Sequence, residues 1–441
     1  MNVNYSNEKW NKLIRILKIA EAVLMVITLI AGVTAVCIPD TASKNEKQYR
    51  QENDSRKVQQ TDQSAEFSGN REEIFEESVS GPSKAGEQDD DSSAQIRKLL
   101  ADMTLEEKIM QMFVIVPEEL VDHAANTVTE AGNITKNALD QYQVGGVFFS
   151  AQNLENPEQV RSMLENMQKY SMESSGIPLF LSLDEEGGTV VRIADNSAFG
   201  VMNVGDMRAV ESAEDAYKAG FYIGSYLSEL GFNLDFAPVA DVITNRENTV
   251  VKKRSFGSNP AEVSGDVLAF IKGLHENHML GCMKHFPGHG GTAADSHNGE
   301  AISDRTLEEL RSSELVPFRD GINAGVQVIM AGHITIPEIT HEEPASLSKA
   351  AVGDLLRKEM GFSGIVITDA MNMQAVTNGS SPADTAVKAV KAGVDMILLP
   401  VNFKEAYEAI RDAVKSGEIA EERIDQSVIR ILTVKKNSLI W

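Results

Sequence analysis

Lys284-His285-Phe286-Pro287-Gly288-His289-Gly290-Gly291-Thr292, followed shortly by Asp295-Ser296-His297, gathers a lysine, three histidines and a carboxylate into fourteen consecutive residues. Asp295 stands two residues from His297, close enough to hold that imidazole in one tautomer and keep its pKa near the working pH, as a proton-transfer catalyst needs. Met279, Leu280, Cys282 and Met283 precede the motif and read as a short buried strand that delivers Lys284 and His285 where it emerges. Pro287 and the three glycines bar a helix, so a loop follows whose backbone can come close to a ligand. Two other readings stand beside catalysis at this point. The residues could be purely structural, or His285, His289, Asp295 and His297 could hold a metal ion, since imidazole is the commonest metal ligand.

Elements able to position such a loop recur along the chain. Apolar runs of strand length lie at 112–116, 146–149, 179–183, 233–236, 281–284, 328–331, 364–368 and 396–399, with helical patterns between most of them, as at 213–230, 264–275, 306–324 and 348–360. Thr104-Leu105-Glu106-Glu107 carries a capping-box signature ahead of the first run. Eight buried strands alternating with helices predict an α/β fold of the (β/α)₈ barrel type, in which the C-terminal ends of the strands form the active face. At those ends stand Asp184-Glu185-Glu186-Gly187-Gly188, Asp235 and Asp241, the Lys284–His297 motif, His333, and Asp369-Ala370-Met371-Asn372-Met373. An aspartate at one strand end is ordinarily a helix cap. Polar groups at five successive strand ends point to a site.

The chain has 441 residues and a formal net charge of -24, which excludes nucleic acid as a natural partner because binding phosphates requires an excess of Lys and Arg. Two cysteines, Cys37 and Cys282, make no disulfide framework. Residues 1–18 are polar and basic, and 19–39 form an apolar run with few interruptions. The twenty residues 19–38 at about 1.5 Å each give about 30 Å, enough to cross a bilayer. The basic residues precede the run and acidic ones predominate after it, which predicts a transmembrane anchor with a cytoplasmic N-terminus. Residues 40–93 are poor in large apolar side chains and read as a disordered linker with a reach of about 40 Å. The barrel is expected over 94–441, on the extracytoplasmic side of the cell membrane.

The motifs resemble those of glycoside hydrolase family 3, in particular its β-N-acetylglucosaminidase branch. The resemblance runs from Met103 to about Leu432 and rests on residues 284–290 with Asp295-Ser296-His297, on Ile367–Met373, on Leu183–Gly188, and on Lys253-Arg254-Ser255-Phe256-Gly257. It implies Asp369 as the nucleophile of a retaining mechanism and His297, paired with Asp295, as the acid/base catalyst. Asp184 would accept hydrogen bonds from sugar hydroxyls, while Arg254, Lys284 and His285 would donate to the sugar or its acetamido group. No metal or cofactor is expected. The implied activity is exo-acting hydrolysis of terminal β-linked N-acetylglucosamine from peptidoglycan fragments or related glycans. A β-glucosidase or β-xylosidase of the same family, or a catalytically silent sugar-binding cell-wall protein, are the alternatives. Departures from the pattern are Gly291, where Asp or Asn is common, Thr189, where Arg is frequent, and Lys252-Lys253 before Arg254.

Overall fold

The computed structural model describes residues 85–122, 126–292, 301–377, 380–438 and 440–441. The segments at 1–18, 19–39 and 40–84, read above as cytoplasmic segment, anchor and linker, lie outside the described residues, as do Asp295 and His297. Among the described residues no helix is long and apolar enough to cross a membrane.

Eight parallel strands form one sheet: β1 (Phe113–Ile115), β2 (Gly146–Phe148), β3 (Phe180–Leu183), β4 (Leu234–Asp235), β5 (Leu280–Phe286), β6 (Val328–Ala331), β7 (Ile365–Thr368) and β8 (Ile397–Leu398). Each pairs with its neighbour in chain order, and β8 returns to pair with β1. A bridge between Ile367 and Met396, with Thr368 N donating to Met396 O at 3.0 Å, brings β8 against β7 and closes the ring. Helices including Asn133–Gln141, Pro157–Ser175, Ala213–Leu230, Pro260–His275, Leu315–Asn323, Pro382–Ala392 and Phe403–Lys415 form the outer layer. The strands are buried along both faces, which is why they read as continuous apolar runs rather than alternating ones.

Local chemistry sets the helix ends. Ser212, Asn259, Ser381 and Asn402 each accept a backbone N–H of the following first turn, and Thr104 forms the reciprocal capping box with Glu107. Two differences from the sequence reading have physical causes. The first described helix, Ala85–Asp102, starts inside the stretch read as linker. Ile96 and Leu100 bury against the core, and a helix nucleated there propagates at little cost into the polar residues before it. The pattern at 306–324 is two helices, Leu307–Ser312 and Leu315–Asn323, because Pro317 lacks an N–H and suits only a first turn. Residues Ala350–Glu359 wind as a π-helix.

β5 is the longest strand and runs through Lys284 and His285 to Phe286, two residues past the expected end. Its register against β6 shifts between Met283 and Phe286, at the place where the site residues begin.

Candidate active site

Asp184, Glu186, Arg192, Arg254, Lys284, His285 and Asp369 line one pocket of about 270 Å³ at the C-terminal ends of the strands, its apolar side made by residues such as Phe148, Met330, Met373 and Leu398. The barrel accounts for this convergence. Asp184 is the first residue after β3, Lys284 and His285 are the two residues before Phe286 at the end of β5, and Asp369 is the first residue after β7.

The charged groups form a chain rather than a set of pairs. Glu186 receives Arg254 through two parallel bonds, from Nε and Nη2 at 2.7 Å each, and Lys284 Nζ at 2.6 Å. Lys284 Nζ also lies 2.8 Å from Asp184 Oδ1, whose second oxygen accepts Arg192 Nη2 at 3.0 Å. The two-pronged geometry fixes the guanidinium plane of Arg254, which a single contact would not do. Burial favours the neutral form of the Lys284 amine, but Asp184 and Glu186 reverse that and hold it charged. Burial likewise pushes Glu186 up, and Arg254 and Lys284 together bring it well below the usual carboxylate range. These charges are fixed before a ligand arrives, so the pocket presents pre-aimed donors and acceptors, as selective recognition of hydroxyl and amide groups requires.

His285 is set from below. Its Nδ1 lies 2.8 Å from Asp241 Oδ2, and Arg254 Nη2 approaches its Nε2 at 3.4 Å. The buried Asp241 also accepts the backbone N–H groups of His285 and His289, so one carboxylate orients the ring and the turn that follows it. Asp369 accepts the N–H of Ala370 at 2.8 Å, and its own N–H donates to Ala331 O at 2.8 Å. Burial alone would raise the Asp369 carboxyl. His285, then His333, the Ala370 N–H and Lys284 outweigh it and keep the group below the usual carboxylate range. His333 also bonds the Ala370 carbonyl through Nε2 at 3.0 Å and Ser346 Oγ through Nδ1 at 2.7 Å, bracing the turn that carries Asp369. A carboxylate held ionised at a pocket wall is equipped to act as a nucleophile.

Asp184, Arg254, Lys284, His285 and Asp369 share the pocket, and Asp241 supports it. Asp235 does not belong to the pocket: it is wholly buried, accepts the Glu185 N–H at 2.9 Å, and burial with the nearby Glu185 charge pushes its carboxyl well above the ordinary range. Of the four residues read as a candidate metal set, Asp295 and His297 lie outside the described residues. His285 Nδ1 is engaged by Asp241 and its Nε2 faces a guanidinium, while His289 Nδ1 lies 2.8 Å from Thr292 Oγ1.

Sequence reasoning passed over Arg192, three residues beyond the Thr189 departure, although it supplies a guanidinium to Asp184. The Glu185 that precedes Glu186 turns away from the pocket to accept three backbone N–H groups, at Arg192, Ile193 and Ala194, and the Tyr226 hydroxyl. The Gly291 departure also has a local cause. A Cβ there would lie 3.0 Å from Ser303 Oγ and 3.2 Å from both Glu314 Oε1 and Thr244 Oγ1, too tight for an added carboxylate.

The sequence pattern of the glycosyl hydrolase family 3 N terminal domain matches residues 104–434. β-Hexosaminidase A of Pseudoalteromonas piscicida is 32% identical over 322 residues, covering 67% of this chain and 54% of that protein. β-Hexosaminidase LpqI of Mycobacterium tuberculosis is 36% identical over 271 residues, 59% of this chain and 68% of its own length. Among solved structures, a glycoside hydrolase family 3 β-N-acetylglucosaminidase from Paenibacillus sp. superposes with a TM-score of 0.71 at 35% identity, over 77% of this chain and 63% of that one. The chain therefore spans only about half the length of the first of these relatives. Fold, strand-end residues and similarity agree: the chain belongs to glycosyl hydrolase family 3.

Proposed function

We propose that this protein is an exo-acting, retaining β-N-acetylhexosaminidase that removes terminal β-linked N-acetylglucosamine, with Asp369 as its nucleophile. The observation that carries the reading is the convergence of an ionised Asp369 with Asp184, Arg254, Lys284 and His285 on one small pocket. About 270 Å³ is at the low end for ligand pockets, which suits one sugar residue and an exo mode of attack. The resemblance of the catalytic motif and the names of the relatives support the 2-acetamido sugar.

In this mechanism an Asp369 oxygen attacks the anomeric carbon and the bond to the departing oxygen breaks, leaving a glycosyl ester. His297, with Asp295 as its partner, gives a proton to the departing oxygen and then takes one from the water that opens the ester. Asp184 accepts from sugar hydroxyls. Arg254, Lys284 and His285 donate to hydroxyls or to the acetamido carbonyl. The catalytic unit runs from helix Ala85–Asp102 through the barrel, and the apolar run at 19–39 anchors it to the membrane with the barrel outside, where peptidoglycan fragments are a substrate class within reach.

The test is kcat/KM on 4-nitrophenyl glycosides that differ only at the sugar 2-position. The acetamido sugar should be preferred by 10³-fold or more, since designed hydrogen bonds left unmade discriminate by about 10⁴ in favourable cases. Equal rates on the β-glucoside would overturn the assignment in favour of a β-glucosidase.

A further inference from the structure

Asp184 and Glu185 follow β3 directly, yet only the first of them lines the pocket. Glu185 is wholly buried. Its Oε2 accepts the backbone N–H of Arg192 at 2.5 Å and that of Ile193 at 2.9 Å. Its Oε1 accepts the N–H of Ala194 at 2.9 Å and the hydroxyl of Tyr226, on helix Ala213–Leu230, at 2.8 Å. The Glu185 N–H donates to Asp235 Oδ1 at 2.9 Å, which ties this residue to the end of β4. A buried carboxylate is costly unless its oxygens are satisfied, and here the satisfaction comes from a stretch of backbone seven to nine residues further on.

These bonds decide where Arg192 stands. Residues 186–190 form a tight turn, closed by Glu186 N to Val190 O at 2.9 Å and Val190 N to Gly187 O at 3.3 Å. The chain then returns past the strand end, where Glu185 takes hold of it at the Arg192 N–H. From that backbone position Arg192 Nη2 meets Asp184 Oδ2 at 3.0 Å, while Asp184 Oδ1 receives Lys284 Nζ at 2.8 Å. The two cations on Asp184 differ in their support. Lys284 is carried by a barrel strand, whereas Arg192 is carried by a loop and its side chain is 27% exposed. A loop released from Glu185 would let the guanidinium swing into solvent and leave Asp184 held on one side only.

We propose that Glu185 is a positioning residue for substrate binding: it holds the return of the β3 loop so that Arg192 clamps Asp184, fixing the carboxylate that accepts a sugar hydroxyl. The proposal rests on the reading of Asp184 as that acceptor. A loosened Asp184 forfeits the interaction with one hydroxyl and leaves the rest of the sugar bound as before. The defect therefore has a signature that general damage lacks: it vanishes on a sugar without that hydroxyl.

The experiment measures kcat/KM for the full-length protein in detergent on 4-nitrophenyl N-acetyl-β-glucosaminide and on its 3-, 4- and 6-deoxy analogues. Asp184→Ala marks the hydroxyl. It should lose about 10-fold or more on the parent sugar, as a hydrogen bond to a charged group is worth, and much less on the analogue that lacks the marked group. Glu185→Gln keeps the size of the side chain but not its acceptors. Each carboxylate oxygen takes two donors, so an amide placed either way round sets its own NH₂ against a backbone N–H. This variant should lose about 10-fold on the parent and no more than about 3-fold on the marked analogue. Arg192→Met should show the same pattern, and adding Glu185→Gln to it should cost no more than about 2-fold further, because the two act through one contact. If Glu185→Gln does not fold, Tyr226→Phe, which removes one donor and keeps the ring, should show a smaller loss of the same pattern. Equal losses on every sugar, no loss on the parent, or losses that multiply in the double variant would overturn the proposal and leave Glu185 a residue of the fold alone. If Asp184→Ala itself loses equally on every sugar, the reading of Asp184 as a hydroxyl acceptor fails, and the positioning role falls with it.

Discussion

At the scale of single residues, the proposed mechanism gives bond formation to Asp369 and proton transfer to His297. Asp369 is kept ionised by His285, His333 and Lys284 against its own burial. Asp369→Ala should therefore abolish turnover on every substrate, because no covalent intermediate can form without it. His297→Ala should behave differently. It should form the glycosyl-enzyme from a dinitrophenyl glycoside at close to the normal rate and then discharge it slowly, since no base activates the water. Stopped-flow traces should show a burst of dinitrophenolate in that variant and none in Asp369→Ala. Intact-mass measurement should find the added sugar in the first and not the second. A burst in Asp369→Ala would show that another group is the nucleophile. The supporting residues were the least legible. Asp241 lies 44 residues from the His285 it orients, and Arg192 binds a carboxylate eight residues before it. Glu314 reads in sequence like the exposed acids Glu308 and Glu309, since nothing in a run of Glu residues says which one turns inward.

At the scale of elements, the strands were legible because each is buried on both faces and flanked by Gly, Asp or helix caps, so the apolar runs at 328–331 and 364–368 nearly coincide with β6 and β7. The helix at 213–230 was equally clear, with Ser212 as its cap and Gly231 in the left-handed region at its end. Legibility fell where tertiary contact decides the backbone. The extension of β5 to Phe286 depends on pairing with β6, and the break near Ser313 depends on Pro317 and on Glu314 turning inward. The loop after β5 shows the same dependence. A Cβ at Gly290 would lie 1.8 Å from Val242 O and 2.5 Å from Val242 C, both backbone atoms that cannot swing aside. Gly290→Ala must therefore displace the loop that leads toward His297, lowering Tm and cutting kcat/KM on chitobiose by about 10²-fold. Gly265, exposed within helix Pro260–His275 with nothing near its would-be Cβ, is the matched control. Gly265→Ala should keep full activity and add about 0.4–1 kcal/mol of stability, read as a higher denaturation midpoint. If Gly290→Ala retained wild-type activity and Tm, the close approach would not matter to the site.

At the scale of the whole molecule, the barrel places its polar chemistry on one face, while the first described helix and the last meet elsewhere on the outer layer. Helix Ala85–Asp102 packs against Glu421–Asn437, and Lys436 Nζ reaches Gln95 Oε1 at 2.6 Å. The catalytic unit thus includes residues that the composition assigned to the linker, and a cut that spares it must fall before Ala85. This sharpens the anchor proposal. With basic residues ahead of the apolar run at 19–39, the barrel should stand outside the membrane at the end of a polar segment. Protease added to intact, wall-stripped cells should release a fragment that begins near residue 85 and keeps full kcat/KM, while the N-terminal piece stays with the membrane. Moving the cut into the helix should do harm: a fragment starting at Leu100 loses Ile96, which is buried, and should show a lower Tm than one starting at Ala85. Recovery of activity only after the cells are lysed, with the protein untouched by external protease, would place the barrel on the cytoplasmic side and overturn the anchored, outward-facing arrangement.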